Sequence, residues 1–163
     1  MVHGNLPPAL PPGLDEAIAR VWQLAELCGV DANHIWYFSA RDAVVVYLAP
    51  SPPTAVARFM DQTTHFMVGT QEFFVEIVPA TRTKSAAEAV QVQILAELSY
   101  WAERGLRIVA VGVRFSGDIV DVTALNPAPD NSQVELVARY GVGVELRTVD
   151  RGPSGRGADS SID

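Results

Sequence analysis

The spacing of apolar residues divides the first half of the chain into five predicted elements. Leu14, Val21, Ala25 and Cys28 fall on one stripe at helical spacing, and the two runs that follow are rich in β-branched and aromatic residues. Pro and Ser residues then lead into a second helical pattern. The prediction is a helix over 14–28, strands over 34–38 and 43–49, a helix over about 54–65 and a strand over 73–78.

The second half repeats this order. It predicts a helix from Ser85 to about Arg104, strands over 107–115 and 118–125 around a Ser116-Gly117 turn, a helix over about 132–140 and a strand over 142–149. Short matches recur as well, such as Leu24-Ala25-Glu26-Leu27 with Leu95-Ala96-Glu97-Leu98. We therefore predict an α+β fold built by tandem duplication of a two-layer αββαβ unit, each with a three-stranded sheet and two helices on one face.

Four segments follow from this pattern. They are a Pro-rich leader over 1–13, a first αββαβ unit over 14–80, a second unit over 81–150, and a Gly/Ser/Asp-rich tail over 151–163 that we expect to be disordered. A unit of roughly 70 residues has a small core and is marginal alone. We expect the two units to pack together.

The two predicted sheets differ in their outer faces. A two-residue turn at Ser116-Gly117 places one apolar set towards the helices, namely Val109, Val111, Val113, Phe115, Val120, Val122 and Ala124. The opposite face of that sheet carries four charged residues, Arg114, Asp121, Glu145 and Arg147, and suits water.

In the first sheet, a three-residue loop pairs Phe38 with Asp42 and Trp36 with Val44. The face towards the helices then holds His34, Trp36, Val44, Val46 and Leu48. The opposite face becomes apolar, and we expect its residues Ile35, Tyr37, Val45, Tyr47 and Phe74 to form a binding surface. The surface contacts another protein or a second copy of the chain, or it is covered by a helix of the second unit or by the leader.

Composition narrows the range of functions. Twelve Lys and Arg residues against nineteen Asp and Glu residues give a net charge of −7, which disfavours a nucleic-acid partner. The single cysteine, Cys28, excludes an intramolecular disulfide, and the longest apolar run, 43–49, is too short to span a membrane. We expect a cytoplasmic protein without membrane partners.

No residue pattern of high specificity for catalysis, metal or cofactor is present. The three histidines lie far apart, and no CxxC or HExxH spacing occurs. His65, near Asp61, could serve acid–base chemistry or simply end a helix in solvent. Gly141-Val142-Gly143 precedes a strand, whereas phosphate loops follow one. We predict no catalytic residues, no metal ligands and no cofactor.

The sequence therefore favours a small, non-enzymatic protein-interaction module that uses the apolar back face of the first sheet. The alternative is a small-molecule-binding protein or an enzyme with a pocket between the two units. In that case Thr63, Thr64 and His65, together with Arg82, would supply its polar groups.

Overall fold

The computed structural model describes residues 9–152 and has a mixed α+β fold. The first leader residues, 1–8, and the tail from 153 lie outside the described residues. In chain order, the elements are α1 Leu14–Cys28, β1 Ala32–Phe38, β2 Ala43–Leu48, α2 Pro53–Thr63, β3 Phe66–Val68, β4 Gln71–Pro79, α3 Lys84–Ala96, α4 Leu98–Glu103, β5 Ile108–Val113, β6 Val120–Leu125, α5 Ser132–Tyr140 and β7 Val144–Val149.

The chain folds into two compact units. The first takes the chain up to Ala89 together with Val113–Ile119, and the second takes Val90–Gly112 and the chain from Val120 onwards. The predicted boundary at residues 80 and 81 lies nine residues before the break at Ala89. The predicted α+β class is confirmed, whereas the internal duplication stays a prediction.

The first sheet has four strands in the order β1-β2-β4-β3. Strand β1 is antiparallel to β2, β2 is parallel to β4, and β3 is antiparallel to β4. The prediction of three strands is therefore wrong for this sheet. The sequence analysis missed β3 because its three residues, Phe66–Val68, are too few to show a strand period.

One face of this sheet packs under α1 and α2. Phe59 of α2 and Val21 of α1 are fully buried in the same apolar cluster as Val44 and Val46 of β2. Helix α1 ends at Gly29, which has the positive φ of 75° that a glycine adopts without strain, and α2 starts with Pro53 in its first turn. The predicted first helix is confirmed at both ends.

The register between β1 and β2 differs from the prediction by one residue. Phe38 pairs with Ala43, so four residues rather than three form the connecting loop, and Asp42 ends that loop with a φ of 48°. Aspartate tolerates this left-handed conformation, so Asp42 belongs to the turn and not to the strand. A shift of one residue exchanges the two faces of a strand.

This shift corrects the prediction for Ile35 and Tyr37. Ile35 pairs with Val46 and Tyr37 pairs with Val44, so both lie on the face that α1 and α2 cover. Ile35 is 4% exposed. These two residues do not share a face with Val45, Tyr47 and Phe74.

The second sheet has the order β5-β6-β7, with β6 parallel to β7. Val120, Val122 and Ala124 are buried as predicted, but Val109 is 53% exposed. Phe115 is also misplaced by the sequence analysis. Phe115 lies beyond β5, in a turn from Arg114 to Gly117. The Gly117 N–H closes this turn by donating a hydrogen bond to the Arg114 carbonyl. The turn belongs to the first unit.

The helix predicted to run from Ser85 to about Arg104 is interrupted at Glu97, which separates α3 from α4. The Glu97 carboxylate accepts two hydrogen bonds from Arg139, at 2.8 and 2.9 Å, and a third from the Tyr140 hydroxyl. These bonds, above all those from Arg139, lower the pKa of Glu97 to about 2. The interruption thus falls at a residue that is bonded to α5, a contact that the local helical pattern does not contain.

None of the helices formed within residues 9–152 combines the length and the apolar character needed to cross a bilayer.

Candidate functional site

Four aromatic side chains line a groove on the back face of the first sheet, the face opposite α1 and α2. The groove has a volume of about 630 Å³ and lies within the first unit. We call it the aromatic groove, and its lining residues are Trp36, Phe38, Tyr47, Arg114, Phe115, Ser116 and Ile119.

The strand register places these aromatic residues on one side. Phe38, Ala43 and Phe74 form one row across β1, β2 and β4. The next rows are Trp36, Val45 and Glu76, then His34, Tyr47 and Val78. In each of these three rows, an aromatic side chain from β1 or β2 therefore lies on the back face.

Phe115 is the centre of the aromatic groove. Its ring meets those of Trp36, Phe38 and Tyr47 edge to face, at centroid distances of 5.6, 6.5 and 6.2 Å and interplanar angles of 85–89°. This is a favoured geometry for aromatic pairs. Trp36 and Phe115 are nevertheless 52% and 47% exposed, so much of their ring surface faces water.

A buried carboxylate holds the turn that carries Phe115. Asp118 accepts hydrogen bonds from the Thr81 amide at 2.7 Å, from the Thr81 hydroxyl at 3.2 Å and from the Ser116 hydroxyl at 2.5 Å. Burial alone raises the pKa of Asp118, but these hydrogen bonds outweigh it and hold the pKa below its ordinary value of 3.8. The turn is therefore tied to the segment that follows β4.

Asn33 of β1 also contacts the turn that carries Phe115. Its side-chain amide donates to the Arg82 carbonyl and its oxygen accepts from the Lys84 amide, both at 2.8 Å. Gly117 sits against Asn33 so closely that an added Cβ would lie 2.8 Å from the Asn33 Cβ. Only glycine fits at that position, and the contact fixes the turn against the sheet.

The ring of His34 packs against two of these aromatic rings. Its ring lies 4.1 Å from that of Phe115 and stacks at 6.2 Å on Trp36. Burial, and then the positive charge of Lys84, lowers the pKa of His34 below its ordinary value of 6.5. The imidazole is consequently neutral at pH 7 and acts as an aromatic packing partner.

The five predicted binding residues separate into three locations. Tyr47 lines the aromatic groove, and Val45 lies on the same face but is 1% exposed. Phe74 is 65% exposed on that face, while Ile35 and Tyr37 face the helices.

Three groove residues, Trp36, Phe38 and Phe115, are absent from the predicted binding surface. The signal that could have found Trp36 and Phe38 is Asp42, because reading it as a turn residue gives the observed register. No local signal marks Phe115, since its role depends on where the turn between β5 and β6 packs.

A second concave site lies elsewhere in the first unit, and we call it the acid-rimmed cavity. Its volume is about 620 Å³, and its lining residues are Asp42, Met60, Thr63, Thr64, His65, Glu72, Phe73, Phe74, Val75 and Ile77. Three of the polar residues predicted for a ligand pocket, Thr63, Thr64 and His65, therefore share one cavity. Arg82 does not line it.

The acid-rimmed cavity holds one polar pair that resembles an acid–base arrangement. His65 Nδ1 lies 3.0 Å from Glu72 Oε1, but the two side chains are 86% and 58% exposed. Within residues 9–152, no group of three or more His, Cys, Asp or Glu side chains is placed to hold a metal ion.

A scan against protein-family models, a search of curated proteins and a search of solved structures each found no significant match to this chain.

Proposed function

We propose that this chain is a non-enzymatic interaction module that binds an extended, proline-containing segment of a partner protein in its aromatic groove. The observation that carries the proposal is the set of half-exposed rings around Phe115. Exposed aromatic surface in a groove is typical of a binding site, since a monomer gains little by leaving it in water.

The shape and chemistry of the groove favour a polyproline helix over other protein segments. Proline rings pack against aromatic ring faces, and the polyproline conformation has no internal hydrogen bonds, so its carbonyls need donors. Two of the lining residues, Trp36 and Tyr47, carry such donor groups, an indole N–H and a hydroxyl. A segment already in this conformation loses little entropy on binding.

The groove is also held in place before any partner arrives. The turn that carries Phe115 is anchored through Asp118 to Thr81 and packs through Gly117 on Asn33. A prearranged site avoids the cost of ordering a loop during binding.

Single-stranded nucleic acid also stacks on exposed aromatic rings, so it is the main competing ligand. Charge argues against it. The chain carries a net charge of −7, and among the described residues Arg114 alone adds a charge to the groove lining. A phosphate backbone needs a basic surface.

The test is an NMR titration of the ¹⁵N-labelled full chain with a proline-rich peptide, a Gly/Ser peptide of equal length and a single-stranded oligonucleotide. We expect saturable shifts of the Trp36 indole and Phe115 amide with the proline-rich peptide alone. Trp36→Ala should abolish the shift of the Phe115 amide. Trp22→Ala is the matched control, because Trp22 is 40% exposed on α1, away from the groove, and its loss should leave binding intact.

Two outcomes would overturn the proposal. One is equal binding of the Gly/Ser peptide, which would show that the rings do not select proline. The other is preferential binding of the oligonucleotide. Light scattering of the same variants shows whether the partner is a second copy of the chain. If the chain associates with itself through the groove, the Trp36→Ala variant should have a lower mass than the unchanged chain. If the partner is another protein, the two masses should be equal.

A further inference from the structure

Strand β5 lies at one edge of the second sheet, next to β6. In the part of the chain that the structure describes, four strands lie at sheet edges, namely β1, β3, β5 and β7. A free edge can pair with a strand from another chain, and proteins prevent this with short strands, irregular registers or charged side chains. The edges that lack such features are therefore the places where a partner strand can add.

Three of the four edges carry one of these features. Strand β1 has an irregular register between Ala32 and His34, and β3 has only three residues. Strand β7 carries the charged Glu145 and Arg147. Strand β5 has six residues, Ile108–Val113, and none of them is charged or a proline. It is thus the edge best suited to strand addition.

The backbone of β5 turns alternate residues towards its free edge. The Arg114 N–H donates to the Ile119 carbonyl at 2.7 Å, so the even-numbered residues of β5 bond to β6 and the odd-numbered ones point away from it. The Val111 carbonyl fits this pattern, because it accepts a hydrogen bond from the Gln91 side chain of α3 at 3.0 Å. Val109 and Val111 therefore direct their backbone groups to the edge.

Exposed apolar side chains surround this hydrogen bond, and we call them the edge patch. Leu95 follows Gln91 by one helical turn and Val92 by three residues, so the three share one side of α3. Val92 and Leu95 are 66% and 46% exposed. Val109, the third member of the edge patch, lies two residues before Val111 and is 53% exposed.

Charge favours a second copy of the chain as the partner of this edge. The net charge of −7 makes two copies repel each other over much of their surface. Residues 89–96 and 108–113, which supply the edge patch and β5, contain no Asp, Glu, Lys or Arg. Antiparallel pairing of β5 with β5 about a two-fold axis places this uncharged surface against itself, so no like charges meet.

We propose that two copies of the chain pair their β5 strands antiparallel, so that two three-stranded sheets join into one. Val109 and Val111 of each copy then exchange backbone hydrogen bonds with the other copy. A backbone N–H replaces the Gln91 side chain at the Val111 carbonyl, so this acceptor stays satisfied. The proposal does not depend on the aromatic groove, which lies in the first unit, whereas the edge patch lies in the second.

The first test is the mass of the full chain in solution, measured by light scattering over a range of concentrations. We expect the mass to rise from 17.6 kDa to twice that value. Trp36→Ala should dimerise like the unchanged chain, because Trp36 lies in the groove. A chain that stays monomeric up to about 1 mM would overturn the proposal.

Amide hydrogen exchange of the ¹⁵N-labelled chain locates the interface. The Val109 and Val111 amides should exchange about tenfold more slowly when about nine-tenths of the chain is dimeric, since only the monomer exposes them. The Ala110 and Gly112 amides face β6 in both states and should change little. A dimer in which the Val109 and Val111 amides exchange as fast as in the monomer would contradict pairing through β5.

Matched variants separate the edge from the general charge of the chain. Val109→Glu and Val134→Glu each add one negative charge at an exposed valine, the first on β5 and the second on α5. Val109→Glu should raise the dimer Kd at least about tenfold, because it brings like charges into an apolar interface, and Val134→Glu should leave it unchanged. Val92→Glu, on α3, should weaken the dimer without altering β5. Equal weakening by Val134→Glu would show that net charge alone governs association, and the proposal would fall.

Discussion

The first sheet presents two apolar faces that differ in kind, although the same strands build both. The face under α1 and α2 is mainly aliphatic, with Val44 and Val46 fully buried. The back face carries Trp36, Phe38 and Tyr47, and a turn from later in the chain adds Phe115. The first face is closed over by α1 and α2, whereas Trp36 and Phe115 on the back face stay 52% and 47% exposed. We therefore propose that one face mainly stabilises the fold and that the other is the recognition surface.

The strongest way to test this division is to remove a large side chain from the helix-covered face. Phe59 of α2 is fully buried in the core cluster, so Phe59→Ala should lower the free energy of unfolding by about 3–5 kcal/mol. Urea unfolding followed by circular dichroism measures this loss. The remaining folded protein should bind the proline-rich peptide with unchanged affinity. A loss below about 1 kcal/mol would show that this face contributes little to stability.

The second test loosens the support of the aromatic groove without changing any of its rings. Asp118→Asn should cost about 1.5–3 kcal/mol at pH 7, because hydrogen bonds to a buried charged acceptor are weakened. The folded state lowers the pKa of Asp118 below 3.8. Its charged form thus stabilises the fold above about pH 4, and this contribution is lost as the pH falls through the lowered pKa.

Urea unfolding of both chains at several pH values measures this difference. The gap between the unchanged chain and Asp118→Asn should be largest at pH 7 and should shrink below pH 4. The exposed Asp130 provides the control, since Asp130→Asn should alter stability little at either pH. A gap that stays constant with pH would contradict a role for the Asp118 charge.

The smallest effect on stability concerns Phe74, which is 65% exposed on the back face. Phe74→Ser should change the free energy of unfolding by no more than about 0.5 kcal/mol. Because Phe74 lines the acid-rimmed cavity and not the aromatic groove, peptide affinity should also stay the same. A clear loss of peptide binding, measured in the same titration as for Trp36→Ala, would extend the recognition surface across the whole back face.

Periodicity predicted most elements because their signals are local. The stripe from Leu14 to Cys28 and the stop at Gly29 place α1 correctly, and the alternation of Val120, Val122 and Ala124 identifies the buried face of β6. Strand β2 lacks such a signal. Its residues from Ala43 to Val46 are all buried, because the strand lies between β1 and β4 and is covered on both faces. A continuous apolar run cannot show which residue faces which side.

Only part of the candidate site was predicted, because the register of β1 against β2 was not. The sequence indicated an apolar back face on the first sheet, and Tyr47 does line the aromatic groove. Its neighbours in the prediction, Ile35 and Tyr37, belong to the core face because the loop before Ala43 is one residue longer than assumed. A single residue in a turn decided which aromatic rings reach the surface.

The sequence by itself determined the α+β class and the bounds of α1, since both depend on neighbours along the chain. Only the tertiary structure decided the interruption at Glu97 and the position of Phe115. Each of these depends on contacts between residues far apart in sequence, such as Thr81 with Asp118 or Glu97 with Arg139. Local spacing carries no information about such contacts, and the aromatic groove is built from them.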